Sequence, residues 1–359
     1  MTNRLESGKP RRFRRSIITS AFALLCIAIV SSGVLALFVV YTWDRTWDAP
    51  LPDIHASSDP EVIRRGEYLV YGPSHCSECH TSPDADLEAA SERGERLPFS
   101  GGRRLAADPL GAVYAKNLTP DPDTGIGRYS DPQIARMLRY SVRPNGRASI
   151  RLLMPFGNMS DADLTAIVSF LRVQAPVRNV VPPNEFTVIG KIVKSLSPVF
   201  KPRDGVHPTA EPPAQQATRE RGEYIARSVA NCSGCHTKFN PMTLAPSGPD
   251  FAGGNEMAPE KRLGVDTTVW FRTPNLTPMR GSALNKFPDR ETFIARFQRG
   301  GYHYAGSPMP WGPFSRMSAE DLGALYEYFH SLAPQVGPTG DAAFVKGLRR
   351  QEEQRRASR

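Results

Sequence analysis

Five short segments occur twice in this chain, in the same order and at nearly the same separation. The matched segments are 65–69 with 221–225, 76–80 with 232–236, 117–120 with 275–278, 154–157 with 309–312, and 159–164 with 317–322. Their separations stay between 155 and 158 residues. Self-similarity at a fixed period indicates a duplicated structural unit. We therefore predict two copies of one domain, a first repeat at 60–175 and a second repeat at 216–335.

Each repeat contains the pattern C-x-x-C-H. The residues are Cys76, Cys79 and His80 in the first repeat and Cys232, Cys235 and His236 in the second. This pattern is the signature of c-type haem attachment. Its two thiols, held at a short fixed spacing, bond to the two haem vinyl groups, and the adjacent imidazole reaches the iron. The sequence thus predicts two covalently bound haem c groups, with the two histidines as iron ligands.

Two other uses of C-x-x-C pairs fit less well. A thioredoxin-type redox pair does not need the histidine that follows, and no βαβ pattern surrounds either motif. A zinc ribbon places its two pairs about 15–20 residues apart, whereas Cys79 and Cys232 are 153 residues apart. Cys26 lies in an apolar segment and is expected to be an apolar filler.

Methionines are the expected second axial ligands of the two irons. Met154 and Met309 each lie in a Met-Pro-aromatic-Gly segment, and a loop of this kind is able to turn a thioether onto an iron. Met159 and Met317 instead precede a helix N-cap serine and are expected to pack in hydrophobic staples. The histidine alternatives are weaker, since His75 adjoins the attachment motif and His303 has no counterpart in the first repeat.

The apolar spacing within each repeat predicts helices, and the expected fold class is all-α. A middle helix is expected to start with Asp131 as N-cap. The last helix is expected to start with a capping box, Ser160 with Asp163 and Ser318 with Asp321. Residues 176–215 form a proline-rich linker, which we expect to be extended apart from a short helix around 188–196.

An apolar segment near the N-terminus is long enough to cross a bilayer. Residues 17–43 contain no charged side chain, and about 20 apolar residues span the hydrocarbon core. The segment follows a basic stretch at 1–16 and leads into a linker at 44–59. The positive-inside rule then keeps 1–16 in the cytoplasm and exports the remainder. A cleaved signal peptide is the alternative, although its apolar region is usually shorter.

The net charge of +9 comes from the two ends of the chain. Residues 1–15 carry six basic and one acidic side chain, and residues 346–359 carry six basic and two acidic ones. The residues between are formally neutral, which argues against a nucleic-acid partner. The tail at 336–359 is expected to be charged and to contact lipid headgroups or an acidic partner.

Residues 117–127, with 129–131, 154–155, 273–278 and 309–311, resemble a known family of proteins. These are the membrane-anchored cytochrome c subunits of bacterial periplasmic dehydrogenases for alcohols, aldehydes and sugar acids. The resemblance implies helical cytochrome c domains and electron transfer from a dehydrogenase to quinone or an oxidase. The chain departs from the pattern in having two haem motifs where many members have three. It also lacks the Thr-Gly-Ile-Gly stretch in the second repeat and has an N-terminal anchor.

We therefore expect a di-haem electron carrier at the periplasmic face of the bacterial inner membrane. Its donor would be a periplasmic dehydrogenase, and its acceptor an oxidase, quinone or soluble cytochrome. No catalytic residue is expected, because Met and His ligation fills both axial positions. The alternative is a di-haem peroxidase, which needs an iron whose sixth position opens to peroxide. The Asn-Leu-Thr-Pro segments either line the haem edge or act only as turns.

Overall fold

A computed structural model describes residues 10–107, 109–240, 245–259, 266–301, 304–339 and 341–345. Most of the basic N-terminal stretch, His303 and the tail beyond residue 345 lie outside the described residues. The described helices are α1 Pro10–Thr42, α2 Pro60–Tyr71, α3 Ser77–His80, α4 Leu87–Glu92, α5 Asp131–Tyr140, α6 Asp161–Val173, α7 Val188–Leu196, α8 Arg219–Tyr224, α9 Cys232–His236, α10 Arg290–Gln298, α11 Trp311–Phe314 and α12 Ala319–Ser331. Short 3-10 helices cover Ile126–Arg128, Pro198–Phe200 and Ala283–Lys286, and a π-helix covers Ile225–Val229.

The first and last helices of each repeat cross at a glycine. In the first repeat, a Cβ on Gly66 of α2 would lie 1.9 Å from the carbonyl oxygen of Ala166 in α6. In the second repeat, a Cβ on Gly222 of α8 would lie 1.9 Å from the carbonyl oxygen of Ala324 in α12. Only a glycine permits so close a backbone approach. The two repeats are therefore built around the same helix pair.

One apolar core runs through both repeats. Leu69, Leu164 and Ile167 belong to it in the first repeat, and Ile225 and Leu322 in the second, all nearly inaccessible to solvent. The apolar positions 164, 167, 168 and 171 of α6 are buried, as the helical spacing predicts. The repeats thus share buried surface with each other.

The prediction of an all-α fold was wrong in one respect, because the described residues also form two small antiparallel sheets. The strands are β1 Arg104–Ala107, β2 Gly111–Tyr114, β3 Glu185–Phe186, β4 Glu256–Met257, β5 Val269–Arg272 and β6 Ala343–Val345, with orders β1-β2-β3 and β4-β5-β6. In register, Leu105 faces Val113, and Trp270 faces Phe344. Each sheet takes its third strand from the segment that follows its repeat. Strands of two to four residues are too short for an alternating pattern to reveal.

Two of the predicted helix starts need correction. Ser130, rather than Asp131, is the N-cap of α5. The Asp131 carboxylate instead accepts from Arg172 Nε at 2.7 Å and from the Ala56 amide at 2.8 Å. Ser160 does cap α6 by accepting from the Asp163 amide, but the Asp163 carboxylate does not accept from the Ser160 amide. It pairs with Arg65 at 2.8 Å.

The linker does not run free between the repeats. Its segment at 185–186 forms β3, and α7 occupies 188–196, where a short helix is expected from the sequence. Further on, the carbonyl oxygens of Thr209 and Ala210 accept from the first amides of α6. The linker therefore packs along the first repeat over much of its length.

The N-terminal helix stands apart from the core. Within α1, the segment Ile17–Thr42 is long and apolar enough to cross a membrane, and almost all of it is exposed. A membrane anchor and a signal sequence both satisfy this test of length and composition. Val39, in the last turn of the helix, is buried, and α1 packs against α7.

Candidate haem sites

The first C-x-x-C-H motif folds into one short helical turn. The helix α2 ends at Tyr71, and a tight turn with positive φ at His75 leads into the motif. The amide of His80 donates to the carbonyl oxygen of Cys76 at 2.9 Å. This i to i−4 bond brings the histidine close to the face that carries the first cysteine. Cys76, the N-cap residue of α3, is thus gathered with Cys79 and His80 on one helical turn, as covalent haem attachment requires.

The imidazole of His80 is oriented by a backbone carbonyl. Its Nδ1 lies 2.7 Å from the carbonyl oxygen of Lys116, which is able only to accept a hydrogen bond, so Nδ1 is the protonated nitrogen. The other nitrogen, Nε2, keeps its lone pair. Burial holds the pKa of His80 below its usual value. A neutral imidazole with a free Nε2 and an anchored Nδ1–H is the arrangement of a metal-ligating histidine.

The second repeat shows the same arrangement. The Nδ1 atom of His236 lies 2.8 Å from the carbonyl oxygen of Pro274, and burial lowers the pKa of His236. In addition, the amide of Gly253 donates to the carbonyl oxygen of His236 at 2.6 Å, as Gly101 donates to that of His80 at 2.7 Å. Both histidines are therefore held at the ring and at the backbone.

The carbonyl that orients each histidine belongs to the residue before an Asn-Leu-Thr-Pro segment. In the first repeat, Asn117 Oδ1 accepts from the Thr119 amide at 2.9 Å and from its hydroxyl at 2.7 Å. Asn117 Nδ2 donates to the carbonyl oxygen of Val177 at 2.8 Å. These bonds lock the segment that carries the Lys116 carbonyl. Of the two roles open for these segments, the turn role has direct support, and contact with a haem edge stays a prediction.

Asn275 and Thr277 repeat this network. Asn275 Oδ1 accepts from the amide and the hydroxyl of Thr277, both at 2.8 Å. Its Nδ2 donates to the carbonyl oxygen of Gln335 at 2.8 Å. Val177 lies just beyond the expected end of the first repeat, and Gln335 is the last residue of the second; neither contact is predicted by the sequence pattern. An Ala-Pro dipeptide directly precedes each of these residues, at 175–176 and 333–334. This repeated dipeptide is the sequence feature that could have indicated the two equivalent contacts.

Among the described residues, the four motif cysteines form no disulfide bond. Cys76, Cys79 and Cys232 are partly buried, and Cys235 is exposed. Burial raises the pKa of Cys76 and of Cys232 to about 12, so these thiols are neutral at ordinary pH. Among the described residues, no three His, Cys, Asp or Glu side chains cluster as a metal site. The described residues therefore bring no three of these ligands together, and the attachment of one haem to each cysteine pair stays a prediction.

The two kinds of methionine differ in burial. Met159 and Met317 are almost completely enclosed, with 0% and 2% of their surface exposed, which agrees with the expected hydrophobic staples. Met154 and Met309 are partly buried and pack against the edge of the core. A side chain in that position keeps one side accessible to a bound group. The assignment of Met154 and Met309 as axial ligands stays a prediction.

The first Met-Pro loop is held by the linker. Arg203 Nη2 donates to the carbonyl oxygen of Arg151 at 2.7 Å and to that of Met154 at 3.2 Å. In the second loop, the guanidinium of Arg296 stacks 3.7 Å from the Trp311 ring centroid. Each loop is therefore fixed by an arginine, but the arginines come from different parts of the fold.

His75 lies at the boundary between the repeats. Its ring packs edge-on against Phe314 of the second repeat, with centroids 5.5 Å apart, and its Nδ1 lies 3.1 Å from the carbonyl oxygen of Pro73. These contacts explain the burial of His75 by packing. His303, the other histidine weighed as a ligand, lies outside the described residues.

Curated proteins of known class are similar to this chain, although no family model matches it. The cytochrome c subunit of alcohol dehydrogenase (quinone) from Gluconobacter oxydans is 29% identical over 227 residues, 58% of this chain and 44% of that protein. The gluconate 2-dehydrogenase cytochrome c subunit from Pantoea cypripedii is 31% identical over 184 residues, 49% of this chain and 38% of that protein. The chain resembles dehydrogenase cytochrome c subunits. The resemblance indicated by the Asn-Leu-Thr-Pro and Met-Pro segments is thereby confirmed.

A smaller relative is similar over most of its length. The diheme cytochrome c-type protein from Cereibacter sphaeroides is 29% identical over 242 residues, 62% of this chain and 72% of that protein. By contrast, the chain spans between 17% and 59% of the length of the dehydrogenase subunits that it matches. Cytochrome c relatives of these kinds imply electron transfer and covalently bound haem c.

Proposed function

We propose that this protein is a di-haem c-type cytochrome that transfers electrons at the periplasmic face of the bacterial inner membrane. One haem would be attached at Cys76 and Cys79, and the other at Cys232 and Cys235. The observation that carries the proposal is the duplicated histidine geometry. An imidazole with Nδ1 tied to a backbone carbonyl follows each cysteine pair, and the two sites belong to repeats that share one core.

The residues of the chain would bind and orient the two groups. His80 and His236 would ligate through Nε2, and Met154 and Met309 would supply the opposite ligand in each repeat. When bound, the haem supplies reversible one-electron chemistry at its iron. The polypeptide would shield the histidine side of each group from water to different degrees, because His236 is buried and His80 is half-buried. A filled sixth position favours electron transfer over substrate turnover.

The partner and location follow from the relatives and from α1. Relatives named as alcohol and gluconate dehydrogenase subunits support a periplasmic dehydrogenase as electron donor. The acceptor would be an oxidase, a quinone or a soluble cytochrome. The exposed apolar segment of α1 supports an anchor that spans the inner membrane once, with both repeats in the periplasm.

Redox titration of the full-length holoprotein tests the electron-transfer role. We expect two low-spin haems that each take up one electron reversibly, and rapid reduction by an associated dehydrogenase in the presence of its substrate. A high-spin haem that binds carbon monoxide or turns over peroxide would contradict the proposal and favour the peroxidase alternative. The heat-denatured holoprotein serves as the control for peroxide consumption by haem that is exposed when the chain unfolds.

A further inference from the structure

The linker helix α7 exposes a compact apolar face. Val188, Ile189, Ile192 and Leu196 fall within about 100° of arc on an α-helix. Val188 is 74% exposed, Ile189 53% and Leu196 54%. The opposite side of the helix sits on the first repeat at Gly190, where a Cβ would lie 1.9 Å from the carbonyl oxygen of Leu110. The packing therefore fixes which face of α7 points outward.

This helix lies beside the end of the candidate membrane span. α7 packs against α1, and two of its lysines approach the ring of Trp43, just after the last residue of α1. Lys191 Nζ lies 4.6 Å and Lys194 Nζ 5.2 Å from the centroid of that ring. Lys194 also pairs with Asp44 at 3.3 Å. These contacts tie α7 to the point where α1 ends.

The length of α1 sets the depth at which α7 lies. The apolar segment Ile17–Thr42 has 26 residues, which corresponds to about 39 Å of helix. The hydrocarbon core of a bilayer is about 30 Å thick. With α1 as the membrane span, this excess of length would place its last turns, next to Trp43, at the level of the lipid headgroups, where tryptophan is favoured. A helix packed against those turns is at the same level.

The charges around this point are complementary to an anionic surface. The Asp44 carboxylate forms ion pairs with Arg147 at 2.8 Å and with Lys194 at 3.3 Å. It also attracts the positive charge of Arg143. Lys191 adds a further positive charge beside Trp43. Three cationic side chains thus act on one carboxylate, and a fourth, Lys191, lies beside Trp43. Lipid phosphates are the anions available at this depth.

We propose that α7 lies in the headgroup region of the bilayer, with Val188, Ile189 and Leu196 inserted among the acyl chains. The inference rests on α1 as the membrane span of the proposed function. An amphipathic helix of this kind lies in the plane of the interface. The first repeat would then be attached to the membrane at two points, α1 and α7. Two attachments fix which surface of the haem-bearing body faces the lipid.

Spin labels on the full-length protein in nanodiscs of anionic lipid test this arrangement. The reporter is Ile189→Cys in a Cys26→Ala background, with Val188→Cys as a second reporter on the same face. Val336→Cys, at an 85% exposed site just after the second repeat, is the control. In the otherwise unaltered chain, Cys26 itself reports whether α1 crosses the bilayer. Collision rates with oxygen and with a water-soluble nickel chelate are measured with both haems reduced.

We expect the oxygen-to-nickel collision ratio at residue 189 to exceed that at residue 336 several-fold. The ratio at residue 26 should be higher still. Equal ratios at 189 and 336, with residue 26 deep in lipid, would overturn the docking of α7 and leave the anchor intact. Exposure of residue 26 to water, or its removal with a cleaved N-terminal segment, would contradict the anchor. The ratio at residue 189 would then report only whether α7 contacts lipid. Shielding of residue 189 only in the presence of a partner dehydrogenase would also overturn the proposal.

Discussion

The hydroxyl of Tyr68 in the first repeat donates to Asp321 Oδ2 in the second repeat at 2.6 Å. The same hydroxyl accepts from the amide of Ser318 at 3.2 Å. The reverse contact also exists, since Tyr224 of the second repeat donates to Asp163 Oδ2 at 2.7 Å and accepts from the Ser160 amide at 3.1 Å. Each repeat thus caps the last helix of the other. This exchange fixes the two candidate haem sites relative to each other.

The exchanged tyrosines are expected to contribute to stability. In Tyr68→Phe, the Ser318 amide loses its partner and Asp321 Oδ2 keeps only its bond from Arg221, and an unsatisfied buried polar group costs about 1–3 kcal/mol. Tyr224→Phe should have a similar effect through Ser160 and Asp163. The free energy of unfolding of the holoprotein, measured in denaturant, checks this prediction.

Tyr326→Phe is the matched control for these variants. Tyr326 lies on α12, and its hydroxyl has no hydrogen-bond partner among the described residues, so its removal should change stability little. Equal losses in Tyr68→Phe and Tyr326→Phe would show that the hydrogen bond to Asp321 contributes nothing.

The glycine crossing in the second repeat should tolerate no side chain. In Gly222→Ala, the added Cβ would lie 1.9 Å from the Ala324 carbonyl oxygen and 2.6 Å from Tyr328 Cβ. The helices must separate, and overpacking of this kind costs about 1–3 kcal/mol or more. In the control Gly323→Ala, the new Cβ meets only side chains, Ala217 Cβ being nearest at 3.1 Å. The midpoint of thermal unfolding should be much lower for Gly222→Ala than for Gly323→Ala. The reverse order would refute the close helix crossing at Gly222.

Alkaline pH should loosen the contact between the repeats. Burial, with the nearby negative charge of Asp321, raises the pKa of Tyr68 well above its usual value. Burial and Asp163 do the same for Tyr224. Unfolded tyrosines lose their protons near about pH 10, whereas these two keep them when folded. Their stabilisation is therefore complete below about pH 10 and falls as the pH rises through the folded pKa.

Comparison with a double variant tests this pH dependence. Between about pH 9 and pH 11, the free energy of unfolding should fall more steeply in the wild type than in Tyr68→Phe/Tyr224→Phe. Parallel declines in the two proteins would exclude the tyrosines as the cause.

The two methionines of the second repeat should respond differently to substitution. Met309→Leu removes the proposed thioether ligand, so one of the two haems should lose its ferric sulfur–iron absorption band and its reduction potential should fall. Met317→Leu keeps the volume of a fully buried side chain and should leave both spectra unchanged. An intact absorption band in Met309→Leu would exclude Met309 as a ligand.

Local features of the fold were predictable from the sequence, and long-range ones were not. The N-caps Ser160 and Ser318 follow from a local pattern, and both are confirmed. The second bond expected in each capping box, from the N-cap amide to the Asp163 or Asp321 carboxylate, was wrong. These carboxylates instead bind Arg65 and Arg221 in two-point ion pairs. Charge-assisted bonds of that kind are stronger than a bond to an amide, and their partners lie about 100 residues away.

The ends of the repeats also show that local features were predictable from the sequence and long-range contacts were not. The spacing of the C-x-x-C-H motifs indicates where each haem would be attached, since that chemistry is local. The third strand of each sheet and the carbonyl partner of Asn117 come from segments that were expected to be linker and tail, and the carbonyl partner of Asn275 is the last residue of the second repeat. Proline-rich sequence carries little periodicity, so its pairing with the repeats is visible only in three dimensions.

The number of covalent haems per chain tests the central claim most directly. The intact mass of the purified full-length protein, expressed with a cytochrome c maturation system, should exceed the polypeptide mass by two haem groups. The variant Cys76→Ser/Cys79→Ser should retain one haem, and Cys232→Ser/Cys235→Ser the other. A wild-type mass without covalent haem, or with a single haem on one repeat, would contradict the account of two equivalent sites.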